Sequence, residues 1–101
     1  MKLTKKEAVR LHTEMWTAMK EALGDCPKVK DRKDFKEKWC KEHFPGENIM
    51  SCCFLCEYDY QCENSCSHCP IAWVNGDCNG NVSYLFSPIS KILALPVRKD
   101  V

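Results

Sequence analysis

The sequence predicts an α-rich α+β fold, with an N-terminal helical hairpin packed on a small cysteine-rich knuckle that carries short β-strands. Three observations carry that expectation. Apolar residues recur at three- and four-residue steps through the first 44 positions, as on buried helix faces. Residues 52–78 hold seven of the nine cysteines. The chain from Asn48 to Asn81 is also rich in turn signals, with Asn75-Gly76-Asp77 and Asn79-Gly80-Asn81 flanking Cys78.

The first helix is expected from Lys5 to Leu23. Thr4 followed by Glu7 fits a capping box, in which each side chain satisfies the other residue's backbone N–H. Ala8, Leu11, Met15, Met19, Ala22 and Leu23 form the apolar stripe, Trp16 widens it, and Gly24 suits the position past the end. Asp25-Cys26-Pro27 is a turn. Asp31 is expected to cap a second helix running to His43, with Asp34 favourably placed in its first turn. Phe35 and Trp39 are its anchors, Phe44 closes the same face, and Pro45-Gly46 stops it. Lys33, Lys36, Glu37, Lys38, Lys41 and Glu42 alternate in sign and read as a solvated face. Short strands are expected at Cys53–Tyr58 and Val82–Phe86. A last helix is expected from Pro88 to Ala94 with Ser87 as its cap, followed by a tail at Arg98-Lys99-Asp100.

With 101 residues and no linker or repeat, the chain reads as a single domain, 1–101, divided into a helical hairpin (1–44), a cysteine-rich part (45–81) and a terminal strand, helix and tail (82–101). A domain of this size buries only about two-thirds of its unfolded surface, so its core is thin and calls for a staple. No apolar run approaches the roughly 20 residues of a membrane-spanning helix. The first sixteen residues hold no unbroken apolar run or small-residue cleavage site, so the expected compartment is a reducing cytoplasm, where disulfides do not persist. Charge is unevenly spread: residues 1–43 hold 12 Lys/Arg against 8 Asp/Glu, and residues 44–101 hold 3 against 6. That asymmetry is too mild to drive non-specific nucleic-acid binding.

Cys53-x2-Cys56 and Cys66-x2-Cys69 are two C-x2-C pairs separated by nine residues. Two residues between cysteines let a tight turn bring both sulfurs to one ion, and two such turns complete a tetrahedral thiolate set. The expected cofactor is one zinc ion on Cys53, Cys56, Cys66 and Cys69, with Cys78 as rival fourth ligand. Cys52 and Cys62 offer C-x3-C alternatives, and His43 and His68 are further donors. Cys26 and Cys40 read as small buried apolar residues. Cys62-x3-Cys66-x2-Cys69 matches the cluster-ligating triplet of radical S-adenosylmethionine enzymes, but the chain is far too short for their barrel. The C-x2-C-x2-C run of bacterial ferredoxins is absent. A saturated all-Cys site leaves no exchangeable water, so no enzymatic activity is expected.

Trp39…Phe44-Pro45-Gly46, Cys53-Phe-Leu-Cys56-Glu-Tyr, Cys66-x2-Cys69-Pro-Ile-Ala-Trp73 and Cys78 together resemble small zinc-binding proteins of phages and prophages of Gram-positive bacteria. The resemblance covers residues 39–78 and extends to the final Leu95-Pro96-Val97-Arg98. It implies a metal-bound module of viral or mobile-element origin, located in the host cytoplasm, and no biochemical activity. The expected function is binding to a host or viral protein, with inhibition of a host or defence protein as one instance. The alternative is a zinc-finger nucleic-acid binder using the lysine-rich segment 28–41, with Tyr58 and Tyr60 as a stacking platform on one strand face.

Overall fold

The first helix forms where its capping box and stripe place it. In the computed structural model, which describes residues 2–49, 53–62, 69–73 and 86–101, α1 runs Lys5–Leu23. Thr4 Oγ1 accepts the Glu7 N–H at 3.1 Å, and Glu7 Oε1 accepts the Thr4 N–H at 3.0 Å. The bond from the Thr4 N–H, with the Thr4 side chain adding to it, holds the Glu7 carboxyl below the usual range. Ala8, Leu11, His12, Met15, Trp16 and Met19 face the core, while Ala22 and Leu23 are exposed. Gly24 ends the helix at φ 87°, a conformation that a Cβ would strain, and its N–H reaches the Lys20 carbonyl at 2.8 Å.

The second helix, α2, runs Val29–His43 and begins two residues before the expected Asp31 cap. Its N-cap is Lys28, which makes no side-chain capping bond, so Asp31 sits inside the first turn. Arg32 defines this start from within the helix: its Nε donates to the Pro27 carbonyl at 2.9 Å and Nη1 to the Ser87 carbonyl at 2.7 Å. The buried face is Arg32, Lys36, Trp39 and Cys40, and Phe35 is only half-buried against it. Lys36 therefore leaves the solvated face on which sequence pattern put it. The remaining charges do alternate in solvent, with Glu37–Lys41 at 2.8 Å and Glu42–Lys38 at 3.8 Å. Phe44 closes the face as expected, its ring 6.4 Å from Trp39 and 5.6 Å from Phe54.

Residues expected to begin a strand form a third helix, α3, Phe54–Cys62. Phe54, Leu55, Glu57 and Asp59 are buried and Cys56 and Tyr58 half-buried, so this helix is covered around most of its circumference. A short apolar run such as Cys53–Tyr58 does not by itself distinguish the two periods, and packing against α1 decides for the helix. The strand face expected to carry Tyr58 and Tyr60 is therefore not formed.

The last helix, α4, runs Ile89–Leu93, with Pro88 rather than Ser87 as its N-cap. Ser87 is buried and its carbonyl is the acceptor for Arg32. Capping comes instead from Asp25, in the turn between α1 and α2. The remaining chain is extended: Ile71 and Val97 form an antiparallel bridge, flanked by Ala72 N–H to Pro96 O at 2.9 Å and Arg98 N–H to Pro70 O at 2.7 Å. The expected tail thus folds back onto the segment after Cys69. Among the described residues this bridge is the β-structure present, and the expected strand at 82–86 lies outside them apart from exposed Phe86.

The result is a helix-rich globule in which α1 packs against α2, α3 and α4. Met15, Trp16, Met19, Trp39, Phe54, Leu55, Ile71, Trp73, Ile89 and Ile92 share one core. Cys40 joins it as expected, whereas Cys26 is exposed in its turn. No helix among the described residues is long and apolar enough to cross a membrane.

Candidate metal centre

The first C-x2-C pair sits at the start of α3. Cys53 immediately precedes the helix, and its carbonyl accepts the Glu57 N–H at 3.1 Å, the first bond of the helical ladder. Cys56 lies three residues on, so both thiols fall on one side of the first turn. Sequence reasoning expected a tight turn here, and the first turn of a helix supplies the same spacing. It also adds unpaired N–H groups and the positive end of the helix dipole.

Those features act on Cys53. A hydrogen bond from the Cys56 side chain pulls its thiol down to about 6, helped by the charge of Lys36 and by the N–H groups of Cys56 and Leu55, against the opposing effect of burial. The thiolate is the form that ligates metal. Cys69 is buried at the head of the extended segment 69–73. Burial pushes its thiol up, and the negative charges of Cys53 and Asp59 push the same way, while the N–H of Ile71 and the side chain of Trp73 oppose them. Cys69 thus lies within reach of the charge of Cys53.

The C-terminal strand holds that second arm in place. Arg98 Nη1 reaches the Cys69 carbonyl at 3.4 Å, and the Arg98 guanidinium grips Asp100 through bonds of 3.0 and 2.7 Å. Lys5 Nζ donates to the Arg98 carbonyl, tying the strand to the start of α1. Asp59 and Glu57 are buried on α3, so the neighbourhood is rich in negative charge.

Of the four expected ligands, Cys53, Cys56 and Cys69 are in the described part, and Cys66 lies outside it. Cys78, Cys52 and His68 are also outside, and of Cys62 only the backbone, at the end of α3, is described. Among the described residues no three His, Cys, Asp or Glu side chains stand close enough to hold a metal ion. What the fold brings together is one thiol pair and, within electrostatic reach, the buried Cys69. The chemistry of that donor set fits zinc: two thiols on the first turn of a helix, with N–H groups beside the Cys53 sulfur. His43 is exposed and stacked on Trp39 at 3.8 Å, with Nδ1 2.9 Å from the Trp39 carbonyl.

Sequence reasoning missed two cations at this centre, Lys36 and Arg98. For Lys36 a signal existed. Lys30, Lys33, Lys38 and Lys41 each have an acidic residue four positions away on α2, whereas Arg32 and Lys36 have none at three or four. These two are the cations that turn inward. No protein-family model, no curated protein and no solved structure matches this chain.

Proposed function

We propose that this chain is a small zinc-stabilised binding domain, encoded by a phage or mobile element, that acts in the host cytoplasm by docking on a host or viral protein. Inhibition of a host or defence protein is one form this takes. One zinc ion would be held by Cys53, Cys56, Cys66 and Cys69 as a knuckle joining α3 to the extended segment, with Cys78 as rival fourth ligand. The observation that supports the reading is the Cys53–Cys56 pair on the first turn of α3, with buried Cys69 at the head of the extended segment that follows. A four-thiolate site has a structural role and supplies no open position for catalysis.

Nucleic-acid binding, the alternative, draws less support from the helix it would use. Arg32 and Lys36 of segment 28–41 are buried, and Lys38 and Lys41 stand beside Glu42 and Glu37. The test is pull-down with the zinc-loaded protein. Capture of a defined host protein, abolished by a chelator, supports the reading. A salt-sensitive mobility shift of nucleic acid without any protein capture overturns it.

A further inference from the structure

Among the described residues, one edge of the Ile71–Val97 bridge is occupied and the other is open. In an antiparallel pair a residue's N–H and C=O point to the same side, and that side alternates along the strand. The flanking bonds, Ala72 N–H to Pro96 O and Arg98 N–H to Pro70 O, run inward, so the N–H and C=O of Ile71 and of Val97 turn outward. On the Ile71 side these groups are engaged: the carbonyl accepts the Trp73 N–H at 3.2 Å, and the N–H bonds to the Cys69 sulfur. On the Val97 side neither backbone group meets a hydrogen-bond partner among the described residues, and the side chain is 44% exposed. Pro96 does not blunt this edge, because its missing N–H falls on the inward side.

An open N–H beside an open C=O on an extended residue is matched by the backbone of another extended chain. Lys99, two positions on, is exposed, and the adjacent carboxylate of Asp100 is engaged by Arg98. An occupant therefore gains by carrying an acidic side chain at that end. A second copy of this chain does not supply one: two copies paired antiparallel about Val97 would set Lys99 opposite Leu95. We infer that the Val97 edge is the docking point for an extended, acidic segment of the partner protein, added as a further strand beside residues 96–98. The inference rests on the protein-docking reading above and is independent of the metal.

Amide hydrogen exchange checks the edge in the free protein. The Val97 amide should exchange far faster than those of Ala72 and Arg98, which donate across the bridge, and equal protection overturns the inference. Docking is then read by selecting binders to the intact chain from a random peptide display library and titrating them by fluorescence polarisation. Val97→Pro removes the outward N–H and is tolerated on an edge, whereas Val97→Thr keeps it. Selected peptides should be rich in acidic and β-branched residues. Val97→Pro should weaken them by about tenfold, with Val97→Thr within about threefold of wild type. Equal binding by Val97→Pro, or a library that yields no binder, overturns the inference. If Val97→Pro loses the protection at Arg98, N-methylation of the Val97 amide, introduced on a synthetic segment 78–101, takes its place. A dimer that Val97→Pro disperses in sedimentation assigns the edge to a second copy and overturns the inference. Capture of a defined host protein that Val97→Pro retains in full also overturns it, and leaves the docking reading standing. Wild type that captures no protein overturns that reading, and the inference with it.

Discussion

Asp25 and Ser90, 65 positions apart in sequence, are joined by two hydrogen bonds: the Asp25 carboxylate accepts the Ser90 N–H at 2.7 Å and its hydroxyl at 2.9 Å. The Asp25 carbonyl adds a third link by accepting the Ile89 N–H at 2.8 Å. A helix of only five residues has little stability of its own, so α4 depends on this borrowed cap and on the burial of Ile89 and Ile92. The Ser90 bonds hold the Asp25 carboxyl below the usual range.

Asp25→Ala is expected to lower the melting temperature by roughly 5 °C, the effect of losing one good cap in a domain of this size. Asp25→Asn, which keeps an acceptor, should recover most of the loss. Thermal unfolding followed by circular dichroism makes the comparison, and an alanine variant that melts with wild type would show that the clasp contributes nothing.

Arg32 is fully buried and spans two carbonyls from separate segments, Pro27 and Ser87. Arg32→Met fills similar space and leaves both acceptors without this donor, which should cost about 2–4 kcal/mol. Arg32→Lys can satisfy one carbonyl at most and should fall between. Urea unfolding measures both, and a methionine variant as stable as wild type would contradict the clamp.

These two contacts mark the boundary of what the sequence makes legible. α1 is legible end to end because all its signals are local: Thr4 and Glu7 at one end, Gly24 at the other, and an apolar stripe between. The caps of α2 and α4 are not, because Arg32 and Asp25 act on residues brought together only by the folded chain. Cys53–Tyr58 reads equally as strand or helix until α1 is packed against it. The Cys53–Cys56 spacing is legible in the sequence, but the helical turn that carries it is not. Nor is the burial of Lys36, since it depends on the face its helix turns inward, and only its missing acidic neighbours hinted at that.

His12 is buried on α1, and its burial, with the charge of Lys36, pulls the imidazole down from 6.5 to about 4. The unfolded chain therefore takes up a proton that the folded chain refuses. Stability is fully present above pH 6.5 and is lost as pH falls toward 4, by an amount on the order of 3 kcal/mol in total. His12→Leu should flatten this part of the stability–pH curve. The difference between the two proteins in urea unfolding at pH 7 and pH 4.5 isolates the contribution, because thiol protonation affects both alike. Parallel curves would contradict the assignment.

The central claim is that one zinc ion staples α3 to the extended segment through two C-x2-C pairs. Its most direct test is zinc stoichiometry by elemental analysis across Cys→Ser variants at positions 53, 56, 66, 69 and 78, with far-UV circular dichroism on each. Wild type should carry one zinc per chain, and chelation should cost it much of its helical signal. Serine at 53, 56, 66 or 69 should abolish stoichiometric zinc, and serine at 78 should spare it. Wild type that purifies without zinc and folds unchanged in chelator would contradict the account.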